Sequence, residues 1–291
     1  TDLAHCGACG HACEAPAGMT PACAGGVCGL MCDFGTADCD GMVANGCETS
    51  TFGDVAHCGA CGRACPTGTL CNGGMCQPAI CCADLHARLP LLPTGVYPLG
   101  PGDGTSYPAY CDMSTEGGGW TLVMMISDSA AGMFGFDAEA WTDASVINGD
   151  VTDPTRNVNM RSRGFYQVPV LTEMRFCLGS YTSCVNEPKF GVSTQSVFLA
   201  DEAAGTRVVT DFAVWGYNGM LGCNRIGLNV RSPGATARCR YGILLNRTGM
   251  CGGAEDGALG LGCVGYRGAL VSAGRSDGAV MTAQRAWILV R

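Results

Sequence analysis

Residues able to do acid–base or metal chemistry are unevenly placed in this 291-residue chain. The four histidines, His5, His11, His57 and His86, all precede residue 87. His5 and His11 flank Cys6 and Cys9 and precede Cys13, and His57 precedes Cys58, Cys61 and Cys65. A C-x2-C-x3-C spacing beside histidine has two readings. Thiolates and imidazoles can hold Zn²⁺ tetrahedrally, or the cysteines can be oxidised to disulfides. These cysteines greatly outnumber four ligands and lie among glycines, so the spacing predicts disulfides.

Hard oxygen donors gather in one stretch: Asp33, Asp38 and Asp40, followed by Asn45 and Glu48. A turn-rich loop of this kind suits Ca²⁺, which tolerates irregular oxygen geometry. The same residues also make a solvated acidic turn with Asx-type backbone bonds. Asp137 with Glu139, and Glu255 with Asp256, are the other acid pairs, read as solvated or cation-holding rather than glycosidic. With no histidine beyond residue 86, a Ser-His-Asp or Cys-His arrangement is excluded downstream. The chain is expected not to be an enzyme.

The elements that position these residues fall into two regions. Twenty-two residues are Cys, fifteen of them within the first 82. So many thiols predict a secreted or cell-surface protein whose bridges replace a small core, and the even total predicts complete pairing. The net charge of −8, with Lys189 the single lysine, argues against nucleic acid or an anionic membrane as partner. No apolar run is long enough for a membrane span. No signal peptide opens the sequence, which reads as one already removed.

Within 1–78 a unit recurs. His5-Cys6-Gly7-Ala8-Cys9-Gly10-His11-Ala12-Cys13 returns as His57-Cys58-Gly59-Ala60-Cys61-Gly62-Arg63-Ala64-Cys65, and Cys23-Ala24-Gly25-Gly26-Val27-Cys28 as Cys71-Asn72-Gly73-Gly74-Met75-Cys76. Self-similarity at this period means one small module used twice. Modules are expected at 1–49 and 50–81, with Cys81 completing the second. They resemble Cys-rich repeats of exported myxobacterial proteins, which implies a spacer or stalk.

From Cys82 cysteines thin out and strand-like runs appear at 120–126, 208–215 and 286–290. Long Gly-rich connections are expected at 127–160 and 247–280. Leu92-Pro93-Thr94-Gly95-Val96-Tyr97, followed by Tyr110-Cys111-Asp112-Met113-Ser114-Thr115-Glu116-Gly117-Gly118-Gly119-Trp120-Thr121-Leu122-Val123, resembles the opening of fibrinogen-related domains and intelectin (X-type) lectins. The distal segments Arg240-Tyr241-Gly242-Ile243-Leu244-Leu245-Asn246, 256–262 and 287–291 are similar to that family's second half. The resemblance implies an α+β, strand- and loop-rich domain at 82–291, behind small irregular disulfide-rich modules, with Cys82 bonded to Cys111. Proximity then suggests Cys177–Cys184, Cys223–Cys239 and Cys251–Cys263.

Relatives in that family mostly bind glycans, often beside calcium. The resemblance therefore implies an extracellular binding protein: a lectin-like head on a Cys-rich stalk, taking carbohydrate or another small polar ligand. Calcium would sit on Asn246, Glu255, Asp256 and Asp277, with Tyr266, Arg267 and Asn246 touching the ligand. Intelectins place a histidine in this site and this chain has none there. A second reading is a structural subunit of an extracellular fibre, pilus or coat, with neighbouring copies as partners.

Overall fold

The computed structural model describes residues 2–15, 19–42, 45–100, 105–129, 133–170, 172–188, 192–199, 207–209, 224–231, 237–245, 257–264, 270–277 and 280–291. The chain divides into two compact units, Thr1–Ala79 and Ile80–Arg291.

In the first unit each repeat is a hairpin with a loop stapled to it. Strands Met19–Ala24 and Val27–Cys32 pair across Gly25-Gly26, and Thr69–Asn72 and Met75–Pro78 pair across Gly73-Gly74. All four turn glycines have positive φ, between 58° and 81°, as the two-residue turn that matches strand twist requires. Cross-strand partners Cys23 and Cys28 each reach back to the loop, to Cys6 and Cys13. Cys71 and Cys76 do the same to Cys58 and Cys65. The buried centre is largely cystine: Cys6, Cys13, Cys47, Cys58 and Cys71, with Leu70. Phe34 lies almost wholly in solvent. Each bridge across a loop of about 15 residues removes about 3 kcal/mol of unfolded-chain entropy in the loop-closure account.

The two copies are not independent beads. The tail after the first hairpin is closed by Cys32–Cys47, and Cys39 bonds forward to Cys61 of the second copy. The two-residue strands Thr36–Ala37 and Thr49–Ser50 pair within this tail. The expected boundary between modules, at 49/50, is therefore crossed by a covalent bond.

The second unit is built on an antiparallel sheet of seven described strands. Its order runs Cys184–Pro188, Glu173–Leu178, Ala286–Val290, Trp120–Ile126, Tyr107–Asp112 and Gly95–Leu99, with Met160–Arg161 also on Trp120–Ile126. Trp120–Ile126 and Ala286–Val290 are buried at every residue, which is why their sequences are unbroken apolar runs rather than alternating ones. Between the outer strands, one face gathers Trp120, Leu122, Met125, Met160, Cys177, Trp287 and Leu289.

A second sheet forms an up-and-down array of Arg207–Val209, Asn224–Arg231, Arg238–Leu245, Gly257–Val264, Leu270–Asp277 and Val280–Ala283. Tyr241 of this array stacks on Phe176 of the first sheet, ring centroids 3.7 Å apart. Arg240 donates to the carbonyls of Phe136 and Phe198. Phe134, Trp141, Phe165 and Phe198 continue the aromatic contact.

Four expectations change. Helices are short among the described residues: Cys82–Arg88, Gly164–Gln167 and Thr194–Leu199, plus single 3-10 turns at Thr115–Gly117 and Glu139–Trp141. None forms a layer, so the unit is strand-dominated and α+β describes it poorly. The segment 247–280 is no plain connection, because Gly257–Val264 and Leu270–Asp277 are strands within it. Its glycines Gly260 and Gly274 have structural work: with Gly242 and Gly227 they are register partners in a row across four strands. A Cβ on Gly242 would strike the Leu259 carbonyl, so a sequence read as loop was a close-packed sheet.

The third change concerns cysteines. Cys82–Cys111 and Cys177–Cys184 are bonded, but Cys239 is bonded to Cys263 rather than to Cys223. Cys239 and Cys263 are cross-strand partners, a proximity that sequence separation does not reveal. The proposed partners Cys223 and Cys251 lie outside the described residues. Fourth, pairing is incomplete: Cys9 is free and exposed, and Cys81 is free and buried. Cys81 does not close the second repeat; it precedes the helix Cys82–Arg88, where burial pushes its thiol pKa up. No described helix is long and apolar enough to cross a membrane.

Candidate functional site

The sequence around Trp120 makes a rigid corner rather than a site. Glu116, Gly117, Gly118 and Gly119 follow one another at positive φ, and a Cβ on Gly118 would strike the Met113 carbonyl. The side chain of Asp112 caps the turn, accepting from the backbone N–H of Ser114 at 3.1 Å and of Thr115 at 2.9 Å. Trp120, fully buried, donates its indole N–H to Thr115 O at 2.9 Å. Two guanidinium groups lie over its ring, Arg291 at 4.2 Å and Arg175 at 5.4 Å. Arg291 also donates to the carbonyls of Glu116 and Gly118 and pairs with Glu173. Most polar groups here hold the chain, while Arg175 Nε is buried without a hydrogen-bond partner among the described residues. His86, on the helix Cys82–Arg88, packs beneath Gly118 and so belongs to the second unit. It is the one histidine there, and its Nδ1 is buried without a hydrogen-bond partner among the described residues.

Of the five oxygen donors expected to hold calcium in the first unit, three converge. Asp38, Asp40 and Glu48 each offer a carboxylate oxygen, all within 4.8 Å of one another. Asn45 donates its amide to Asp40 at 2.9 Å. Asp33 is not with them; it accepts from Thr20 at 2.6 Å. The cluster is framed by Cys32–Cys47 and Cys39–Cys61. Its oxygens also serve the local backbone: Asp38 accepts from Gly41 N–H, Asp40 from Met42 N–H and Glu48 from Cys39 N–H. The Met42 N–H and then Asn45 hold Asp40 below its usual pKa. Glu48 is lowered first by its own backbone N–H, then by Thr49 and Cys39. Oxygen-only donors on a turn are the right chemistry for Ca²⁺, and both readings of this loop, cation-holding and Asx-turned, act on the same atoms. Of the cysteines near His5, His11 and His57, Cys6, Cys13, Cys58, Cys61 and Cys65 are in disulfides and Cys9 alone keeps a thiol, so these residues do not supply a tetrahedral thiolate set for zinc.

The expected calcium and ligand residues Asn246, Glu255, Asp256, Tyr266 and Arg267 lie outside the described residues. For Asp277 only the backbone is described, opposite Gly257 and Val280.

A cleft not expected from sequence opens at the main sheet of the second unit. It measures about 420 Å³ and is lined by Tyr110, Pro154, Thr155, Gly179, Ser180, Tyr181, Arg285 and Trp287. The bond Cys177–Cys184 closes a short turn that carries Gly179, Ser180 and Tyr181 to the rim. Tyr181 meets Trp287 edge to face at 5.9 Å, and the Arg285 guanidinium lies over the Trp287 ring at 4.9 Å. Trp287 is pinned by its indole N–H to Pro154 O at 2.9 Å. One Arg285 nitrogen, Nη2, bridges the carbonyls of Pro154, Thr155 and Arg156 at 2.7–3.1 Å. The Tyr181 hydroxyl is buried, and burial first, with the nearby Asp112 carboxylate adding to it, raises its pKa strongly. An aromatic floor, fixed by packing, is thus ringed by hydroxyls and a cation. The sequence signal was present but faint: an aromatic between two cysteines seven residues apart.

No protein-family model matches the chain.

Proposed function

We propose that the protein is an extracellular, non-enzymatic binding protein, a lectin-like head on a Cys-rich stalk, that recognises carbohydrate or a similar small polar ligand. The observation carrying this reading is the aromatic cleft of Tyr110, Tyr181 and Trp287, with Ser180, Thr155 and Arg285 at its margin. A pyranose has an apolar face and a ring of hydroxyls. Aromatic walls accept the first and polar margins the second, and the cleft's volume falls in the range of small-ligand sites. The resemblance to fibrinogen-related and intelectin domains supports the same class, with calcium assisting through the loops beyond Leu245. Calcium at Asp38, Asp40 and Glu48 would stiffen the stalk instead.

The test is a glycan array probed with the whole chain, with calcium and with chelator, followed by the variants Tyr181→Ala and Arg285→Met. Single sites of this kind bind at about millimolar to high-micromolar Kd, so the array should be read in multivalent format. Binding weakened tenfold or more by either variant, with near-UV circular dichroism retained, is expected. Binding unchanged in both, but lost in Glu255→Ala/Asp256→Ala, would move the ligand to the distal loops. An array with no binder at all would favour the second reading, a structural subunit, which the exposed Cys9 thiol also supports.

A further inference from the structure

The two repeats are alike down to individual bonds. Ala4 N–H donates to the Asp2 carboxylate as Ala56 N–H does to Asp54. Gly10 N–H donates to His5 Nδ1 as Gly62 N–H does to His57. Cys13 N–H reaches Leu3 O as Cys65 N–H reaches Val55 O. Gly7 packs on Gly26 as Gly59 packs on Gly74. The disulfide frames coincide: Cys6–Cys23 with Cys58–Cys71, and Cys13–Cys28 with Cys65–Cys76.

Apart from His11, whose ring contacts Cys6 O where the second copy has Arg63, the contacts that break the likeness come from the tail that precedes the second copy. Cys61 is bonded to Cys39 of that tail. Gly59 N–H donates to Thr51 O at 2.8 Å. The Phe52 ring covers Gly74, approaching within 3.6 Å of where a Cβ would stand, and itself packs on Phe34. The matching positions on the first copy are Cys9, Gly7 and Gly26. Cys9 is a free, exposed thiol. Gly7 N–H has no partner among the described residues, and only Gly7 stands near Gly26. Three independent features of one docking face, a sulfur, a hydrogen-bond donor and a bare glycine surface, are thus all present and all uncovered.

We propose that the first repeat is an open acceptor for the cysteine-bearing tail of another repeat unit, of the kind formed by residues 32–53, and that Cys9 is the sulfur that closes the joint. The incoming tail places a cysteine on Cys9, a backbone carbonyl on Gly7 N–H and an aromatic ring over Gly26. The tail belongs either to a repeat earlier in the same polypeptide or to a neighbouring molecule; the recognition chemistry is the same. This surface is separate from the ligand cleft, and the inference does not rest on the carbohydrate reading.

The probe is a synthetic peptide of residues 32–53, with Cys32–Cys47 closed and Cys39 held as a mixed disulfide with glutathione. The Cys9 thiolate attacks the Cys39 sulfur, the Cys9–Cys39 bond forms, and glutathione leaves as a thiolate that takes up the proton Cys9 lost. The full chain is incubated with peptide and the products are mapped without reductant. Docking before exchange should make this joint form about tenfold or more faster than Cys9 reacts with oxidised glutathione. It should be confined to Cys9 and absent in Cys9→Ser. A peptide ending at Ser50, without Thr51 and Phe52, should lose the advantage. Equal rates for all three reagents, coupling at Cys81, or Cys9–Cys9 dimers outrunning the peptide would each overturn the proposal. Mapping Cys9 in native material then separates the sources: a partner cysteine within one chain's mass means a preceding repeat, and a partner in a second chain means a neighbour.

Discussion

Arg161 has no exposed side-chain surface, yet it carries a full charge. Its guanidinium pairs with Asp143 and donates to the carbonyls of Ala140 and Ser145 and to the Ser145 hydroxyl, while its plane lies 5.3 Å from the Phe165 ring. Taking such a charge out of water is costly unless every donor finds an acceptor. Here one residue gathers the loop 140–145 onto the strand Met160–Arg161. Arg161→Met should therefore strand the Ala140 and Ser145 carbonyls and lower stability by about 3 kcal/mol, measured as a shift in the urea midpoint. Arg161→Lys should recover only part of that loss, because an ammonium cannot reproduce the planar fork. Nothing in the sequence marked this arginine among sixteen. Its role comes from carbonyls brought together by the fold. The cleft residues Tyr110 and Arg285 escaped notice for the same reason, since they meet Tyr181 only across the sheet.

The turn from Asp112 to Trp120 belongs to the scale of elements, and it was the most legible part of the chain. Three glycines before a buried tryptophan have a local cause: positive φ at each, and at Gly118 a backbone too close for any Cβ. The distal glycines misled because a glycine row inside a sheet looks, in sequence, like a loop. The Asp112 cap also sets a pH dependence. Burial raises its pKa, but the hydrogen bonds from Thr115 and Ser114 outweigh this and leave it below the ordinary carboxylate value. A carboxyl depressed on folding stabilises fully above its unfolded pKa, near 4, and that contribution fades as pH falls through the folded value. Parent and Asp112→Asn should thus differ by about 1 kcal/mol at pH 7 and converge under strong acid. Urea midpoints at pH 7, 5 and 3 would show it; a gap that stays constant would assign the cap's strength to shape rather than charge.

Over the whole molecule, two different solutions to the problem of holding a chain together stand side by side. The first unit, Thr1–Ala79, depends on cystines, whereas Ile80–Arg291 has buried aromatic and aliphatic layers between two sheets. The presence of many disulfides was readable from cysteine count alone, and they are compatible with an extracellular site. Which cysteines remain free was not, because an open partner position is a property of the repeat's bonds. Reduction under otherwise native conditions should unfold the first unit and leave the sheets of the second protected, read by hydrogen exchange along the chain. Loss of protection in both units together would mean that the large unit also depends on its bridges.

The strand Ala286–Val290 lies between Trp120–Ile126 and Glu173–Leu178, at the middle of the main sheet. Those neighbours are made long before it during synthesis. Until it arrives, each of them presents an unpaired inner edge, and the cleft lacks Trp287 and Arg285. Pairing that depends on so distant a segment is slow to form. A chain emerging from a ribosome thus cannot finish this sheet strand by strand in the order in which it is made. One late strand therefore completes the main sheet and the cleft together.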